Sequence, residues 1–212
     1  MGGTLTVEVV VEMFLLLLIG IGPKIALVPY VETTKDMDKA TKAKVMHKML
    51  ATAGTVGLIL VILGEFLARL LHFSTGSLSI AGGIILLIIS ITMVLGPGDD
   101  NADHSSIKDD PMKAAVYPLA VPYLLNPAGI VALVTLSSDA DTLGFVGVVV
   151  GLLALMLVID YFVFRWANGV SKHLDESRML ITEKVFGFLL AALGVQLILD
   201  GLSDVGVINL IH

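Results

Sequence analysis

Residues 113 to 135, KAAVYPLAVPYLLNPAGIVALVT, are long and apolar enough to cross a bilayer, yet they carry Pro118, Pro122 and an Asn126-Pro127-Ala128-Gly129 break near the middle. Proline has no amide proton to donate, so each of Pro118, Pro122 and Pro127 deprives a carbonyl one turn earlier of its helical partner. Hydrocarbon offers such groups nothing in exchange, and irregular backbone survives there only where protein or a polar cavity covers it. The break is therefore expected to line a binding site or a path.

Runs of roughly 20 apolar residues suffice to cross about 30 Å of hydrocarbon, and six are present, at about 5 to 31, 46 to 70, 76 to 95, 113 to 135, 143 to 166 and 182 to 202. With 56% hydrophobic and 15% charged residues among 212, and a mean hydropathy of +0.94, the chain is too apolar for a water-soluble domain. It reads as an all-α integral membrane protein of one domain, 1 to 212, since the connections are short. The first run lacks a basic start and has Glu8 and Glu12 ahead of it, so it reads as a span rather than a signal peptide. A net charge of -6 argues against nucleic acid as a partner. The absence of cysteine excludes thiol catalysis and disulfides.

Lys and Arg collect on the cytoplasmic side of membrane proteins. Lys35, Lys39, Lys42, Lys44 and Lys48 follow the first span, Lys108 and Lys113 precede the fourth, and Arg165, Lys172, Arg178 and Lys184 surround the fifth connection. This distribution places both termini on the non-cytoplasmic side. Arg69 and Lys24 stand apart from the pattern.

Placing Pro23 over Pro127, an offset of 104, aligns GPKIALVPYVETTKD with NPAGIVALVTLSSDA; at 105, GGIILLIISITMVLG lies over GFLLAALGVQLILDG. The halves, about 1 to 96 and 113 to 212 around an acidic connection at 97 to 112, read as duplicates. Three spans per half is an odd number, so the second half enters from the opposite face, as in the inverted repeats of many secondary transporters. In such folds two interrupted helices meet near the midplane, where half-helix N-termini offer amides to anions and unwound carbonyls attract cations. The matched breaks here are Gly20-Ile21-Gly22-Pro23 and Asn126-Pro127-Ala128-Gly129, in the first and fourth spans. A zwitterionic amino acid suits such a pair.

The strings AGGIILLIISITMVLG, YPLAVPYLLNPAG and GFLLAALGVQLILDG resemble the AGG segment, the P-L-A-x-P segment leading into a break, and the GVQ-containing last helix of the MarC family. The resemblance runs nearly end to end. It implies a six-span protein of the cell inner membrane, and its characterised side implies transport of small neutral amino acids of the glycine, alanine and serine type. The family's first break usually reads Asn-Pro or Asp-Pro and its second Gly-Pro-Gly; this chain has Gly22-Pro23-Lys24 and Asn126-Pro127-Ala128-Gly129. An asparagine has in effect moved from one break to the other.

The candidate substrate-binding residues are accordingly Gly22, Pro23, Lys24, Asn126, Pro127, Ala128 and Gly129, with Ser90, Thr92 and Gln196 from the third and sixth spans. Each has a structural alternative. Asn126 can cap its own broken backbone, Ser90 and Thr92 can bond back to their own helix, and Gln196 can bond to another helix. Lys24 either snorkels to the interface or meets a substrate carboxylate. Asp160 and Glu12 are the candidates for coupling a proton or sodium ion, unless Arg165 or Lys172 neutralises Asp160. Glu65 and Arg69, four apart, are expected to pair. Gly144, Gly147 and Gly151, and Ala51, Gly54 and Gly57, form small-residue stripes for close helix contact, within the chain or in a homodimer. The acidic loop with Asp99, Asp100, Asp103, His104, Asp109 and Asp110 reads as a solvated connection rather than a metal site.

No phosphate-cradling motif is present, so no cofactor or nucleotide is expected, and the chain reads as a transporter rather than an enzyme. The rival from another class is an intramembrane aspartyl protease, in which Asp99 of Gly96-Pro97-Gly98-Asp99 and Asp160 share a proton. A third reading is a non-transporting membrane scaffold, favoured if the two breaks are packed shut by large side chains.

Overall fold

The computed structural model describes residues 6 to 95, 110 to 138, 140, 142 to 170 and 176 to 209, and every regular element among them is helical. Thr6 caps α1 (Val7–Gly20) by accepting the amide of Val9. The next helix, α2 (Pro23–Thr34), opens on a proline, whose fixed backbone angle and missing amide suit a first helical position. Asp38 accepts the amides of Ala40 and Thr41 and so starts α3 (Lys39–Leu71), which ends where His72 turns left-handed, at a φ of 55°. Then comes α4 (Thr75–Leu95).

Asp110 caps a single turn, α5 (Pro111–Ala114), which leads into an irregularly wound stretch, Ala115–Leu124. Tyr117 and Val121 are extended there, and the peptide bonds before Pro118 and Pro122 are cis. After the break comes α6 (Pro127–Ser138), bent 68° away from Pro111–Leu124. The long helices α7 (Leu143–Val170) and α8 (Glu176–Asp204) complete the fold.

Five stretches are long and apolar enough to cross a membrane, the first of them Val7–Thr34 with the interruption between α1 and α2 inside it, and the bent pair makes a sixth if it counts as one span. The sequence expectation for the second and sixth spans falls short of the helices that contain them. Lys39, Lys42, Lys44 and Lys48 lie in the first turns of α3 and not in a loop, because the Asp38 cap starts the helix seven residues before the apolar run. Lys42 is buried there, its ammonium donating to the Lys35 carbonyl at 3.3 Å. Glu65 and Arg69 pair as expected.

Two bodies of apolar packing result. The larger cluster draws on α1, α2, α3, the Ala115–Leu124 stretch, α6 and α7, with Tyr30, Phe164, Leu17, Met49 and Leu133 wholly enclosed. The smaller joins Leu86 and Met93 of α4 to Leu190 of α8, and meets the rest of the protein through Ile25 and Ala128, just beyond the two breaks.

What holds α4 to α8 is a repeat of seven on both helices. Gly76, Gly83 and Ser90 face Gly201, Gly194 and Gly187 in antiparallel order. A Cβ on Gly76 would lie 2.9 Å from the Gly201 carbonyl oxygen, one on Gly194 2.9 Å from that of Gly83, and one on Gly187 3.2 Å from that of Ser90. Missing side chains let the backbones touch, which is how helices associate where lipid removes the hydrophobic drive. Lys184 closes one end, donating to the Met93 carbonyl at 2.9 Å among the last carbonyls of α4. Gly83→Leu is expected to separate the pair at a cost of about 1–3 kcal/mol, read as a lowered melting temperature in detergent.

The two stripes of small residues behave differently. In α3, Gly54 meets Leu157 and Gly57 meets Leu153 and Leu133, whereas Ala51 faces outward. In α7, Gly147 and Gly151 have nothing from this chain within 4 Å among the described residues, and Gly144 has only the Thr142 hydroxyl. That stripe therefore makes no intramolecular packing, because α7 turns Leu152, Leu153 and Met156 inward instead.

Candidate functional site

The two breaks meet main chain to main chain. α1 stops at Gly20 because Ile21 leaves helical geometry, with φ -136° and ψ 36°, and Gly22 and Pro23 begin a new helix. The Asn126 amide donates to the Gly20 carbonyl at 3.1 Å across the junction. A Cβ on Gly20 would fall onto the main chain of Gly129, and one on Gly129 onto the main chain of Gly20. Only glycine at both places permits this approach.

Asn126, 1% exposed, is fully occupied. Its side-chain Oδ1 accepts the Gly129 amide at 3.0 Å, the usual N-cap bond of α6, while Nδ2 donates to the Ile19 carbonyl at 3.0 Å. Three hydrogen bonds thus answer the groups that a broken helix orphans at α1's end and α6's start. The capping alternative for Asn126 is the one seen here, extended across to another helix.

The second half-helix is treated differently. Gly22 occupies the N-cap of α2 and has no side chain to offer, so no side chain caps the amides of its first turn. Lys24, in that turn, is exposed. One N-terminus at the junction is therefore capped by an asparagine side chain, while the other, with Lys24 in its first turn, has no side-chain cap. Pro23 is half-buried, and Gly22, Pro127, Ala128 and Gly129 are buried.

Gly82 brings α4 to the same place. A Cβ on it would lie 3.0 Å from Val131 Cγ2 and 3.5 Å from the Pro127 carbonyl oxygen. Of the AGG segment, Gly82 thus touches the second break and Gly83 touches α8. Neither Gly20 nor Gly82 stands out as a site residue in the sequence, because each is defined by what it faces.

The remaining candidates sit elsewhere. The Ser90 hydroxyl donates to the Leu87 carbonyl at 2.8 Å, and that of Thr92 to Ile89 at 2.7 Å; Ser90 is buried against α8 and Thr92 is exposed. Gln196 is exposed on α8 and donates to Asp200 of its own helix at 2.7 Å rather than to another helix, because an acceptor is available four residues on. Glu12 is exposed on the outer face of α1 with Val11, Leu15 and Leu16.

Asp160 is 1% exposed, and neither carboxylate oxygen has a hydrogen-bond partner among the described residues. Among the described residues, Arg165 does not neutralise it. Arg165, five residues on, lies on the exposed side of α7, and ten residues of helix, about 15 Å, separate Asp160 from the end of α7 at Val170. Lys172, Asp99, Asp100, Asp103, His104, Lys108 and Asp109 lie outside the described residues.

A sequence model described as MarC family integral membrane protein matches residues 7–205. Curated relatives include UPF0056 membrane protein MJ1677 of Methanocaldococcus jannaschii, 27% identical over 82% of this chain and 85% of that protein. A UPF0056 membrane protein of Archaeoglobus fulgidus is 28% identical over 90% of this chain and 91% of that one. UPF0056 membrane protein YhcE of Escherichia coli is 25% identical over 69% and 71%. No solved structure matches the chain.

Proposed function

Because the chain belongs to the MarC family of multi-pass integral membrane proteins, we propose that it is a secondary transporter of small neutral amino acids, binding substrate where its two broken segments meet. The observation that carries this reading is the main-chain contact of Gly20 with Gly129 at the junction of both breaks. A contact sealed by a few hydrogen bonds between helix ends is one that opens by tilting the segments apart. In the opened form, the uncapped first turn of α2 and the Lys24 ammonium receive the substrate carboxylate. The carbonyls of Ile19 and Gly20, released from Asn126, receive its ammonium. The structure corresponds, in this reading, to the closed form without substrate.

Support for two inverted halves comes from the element boundaries. Pro23 and Pro127 each open a twelve-residue helix, and α3 and α7 begin at Lys39 and Leu143, both pairs 104 residues apart. Like packs with like: α3 with α7, α4 with α8, and the first break with the second. The cationic start of α3 supports placing both termini on the non-cytoplasmic side of the inner membrane, with the bent Pro111–Ser138 segment as one crossing.

The test is uptake and counterflow of labelled glycine, alanine and serine by purified protein in liposomes. Lys24→Met, which keeps the length and removes the charge, is expected to weaken substrate binding about ten- to a hundredfold, the worth of a hydrogen bond to a charged group. Flux unchanged in that variant removes Lys24 from the site. A scaffold without transport is the second reading; the junction is closed by the main chain of Gly20 and Gly129 and not by large side chains, and absence of flux for all three substrates would select it.

A further inference from the structure

We infer that Asp160 is a proton-binding site that couples transport to the proton gradient, holding its proton in the conformation seen here and releasing it to water when the junction opens. The inference rests on the transporter reading for its use, though not for the protonation itself. Asp160 lies on the inward stripe of α7 between Leu153, Met156, Phe164 and Ala167, all buried. Gly54 against Leu157 and Met46 against Asn168 fix the register of α3 on α7, and Asp160 lies between these two contacts, along the stretch of α3 that holds the buried Met49, Leu50 and Ala53. Phe164, one turn further on, packs edge-on against Tyr30 of α2, with ring centres 5.0 Å apart.

The helices packed on α7 are α1, α2 and α3, and their ionisable groups are engaged or turned away. On α1, Glu8 and Glu12 are exposed. On α2, Lys24 and Glu32 are exposed, and the single proton of the Tyr30 hydroxyl is shared between the Lys42 carbonyl and Asn168 Oδ1. On α3, Lys39, Lys44, His47 and Lys48 are exposed, the Lys42 ammonium is bound to Lys35, and Glu65 pairs with Arg69. On α7 itself, Arg165 is exposed, and Tyr161 turns toward His47, with ring centres 5.8 Å apart.

A carboxylate in this surrounding would have neither counterion nor donor among the described residues, and an uncompensated charge buried there is costly, which is the ground for assigning the proton to it in this proposal. A sodium ion is the poorer occupant. It requires a cage of several oxygens such as unwound carbonyls supply, and α7 is unbroken helix through Asp160. Opening of the bundle toward α2 wets the carboxyl; the O–H bond then breaks, the proton passes to water, and the carboxylate that remains must be reprotonated before the apolar core closes again. Substrate movement and proton movement are thereby tied to one conformational cycle.

Infrared difference spectroscopy of the purified protein reads this directly. The protonated-carboxyl C=O stretch is expected in the wild type at neutral pH, downshifted in D2O, absent in Asp160→Asn, and insensitive to sodium. Absence of an Asp160-dependent band, or its removal by sodium at constant pH, overturns the assignment whether or not any amino acid is transported. In liposomes that do show flux, uptake by Asp160→Asn is expected to lose its response to an imposed pH gradient, and an undiminished response equally overturns it. A band present with no flux for glycine, alanine or serine would count against the transporter reading alone.

Discussion

Gly129→Val is expected to destabilise the protein by at least about 3 kcal/mol, the upper end of overpacking costs. Most overpacked sites relax by moving the far end of a side chain. Here the added Cβ falls on the Gly20 carbonyl group and Cα, which belong to the end of α1. That end is fixed on its other side by the Ile21 amide bonded to Leu17 at 2.7 Å and by the bonds from Asn126. Relief requires the two half-helices to part, which breaks those bonds as well. Gly151→Ala is the matched control: its Cβ meets nothing from this chain within 4 Å, so the change is expected to be neutral or stabilising by up to about 1 kcal/mol through helix propensity. Thermal unfolding in detergent, followed through Trp166 fluorescence, distinguishes the two. A Gly129→Val protein that melts with the wild type would mean that the breaks do not touch.

Asn126→Ala is expected to cost about 2–4 kcal/mol, from loss of an N-cap worth about 1 kcal/mol and an Ile19 carbonyl left buried without a donor at about 1–3 kcal/mol. Asn126→Ser separates these contributions. A serine hydroxyl still caps the Gly129 amide but does not span to Ile19, so its cost is expected to be only that of the carbonyl. Equal loss in Ala and Ser variants would assign all the stabilisation to the bridge, and no loss in either would dismiss both bonds. For this reason a loss of transport in an Asn126 or Gly129 variant would not by itself locate a substrate site, and the proposed site is better tested at Lys24, which is exposed and outside this network.

Much of the architecture was legible because lipid imposes simple rules. Apolar length located each span, and proline with glycine located both breaks, since nothing else in a membrane helix explains Gly22-Pro23 or Asn126-Pro127. The contact between the breaks belongs to Gly20, three residues before Pro23, and to Gly129, two residues after Pro127. Partner identity was harder to read. The sevens of Gly76, Gly83 and Ser90 and of Gly187, Gly194 and Gly201 acquire meaning only once α4 is known to run antiparallel to α8. Asp160 misled for a related reason: proximity in sequence proposed Arg165, but five residues around a helix turn that side chain toward the outside. Gln196 likewise found Asp200 nearer than any other helix.

The interlocked glycines of α4 and α8 also restrict how the protein is able to move. Sliding one helix by a single turn, about 5.4 Å, would bring Ile80, Leu87 and Val94, or their counterparts on α8, onto the smooth spots where backbone now meets backbone. The two helices are thereby locked as one plank, attached to the rest of the protein beside the breaks through Ile25, Ala128 and the contact of Gly82 with Val131. Under the transporter reading, a small tilt at the free end of such a lever would become separation of the helix ends at its root.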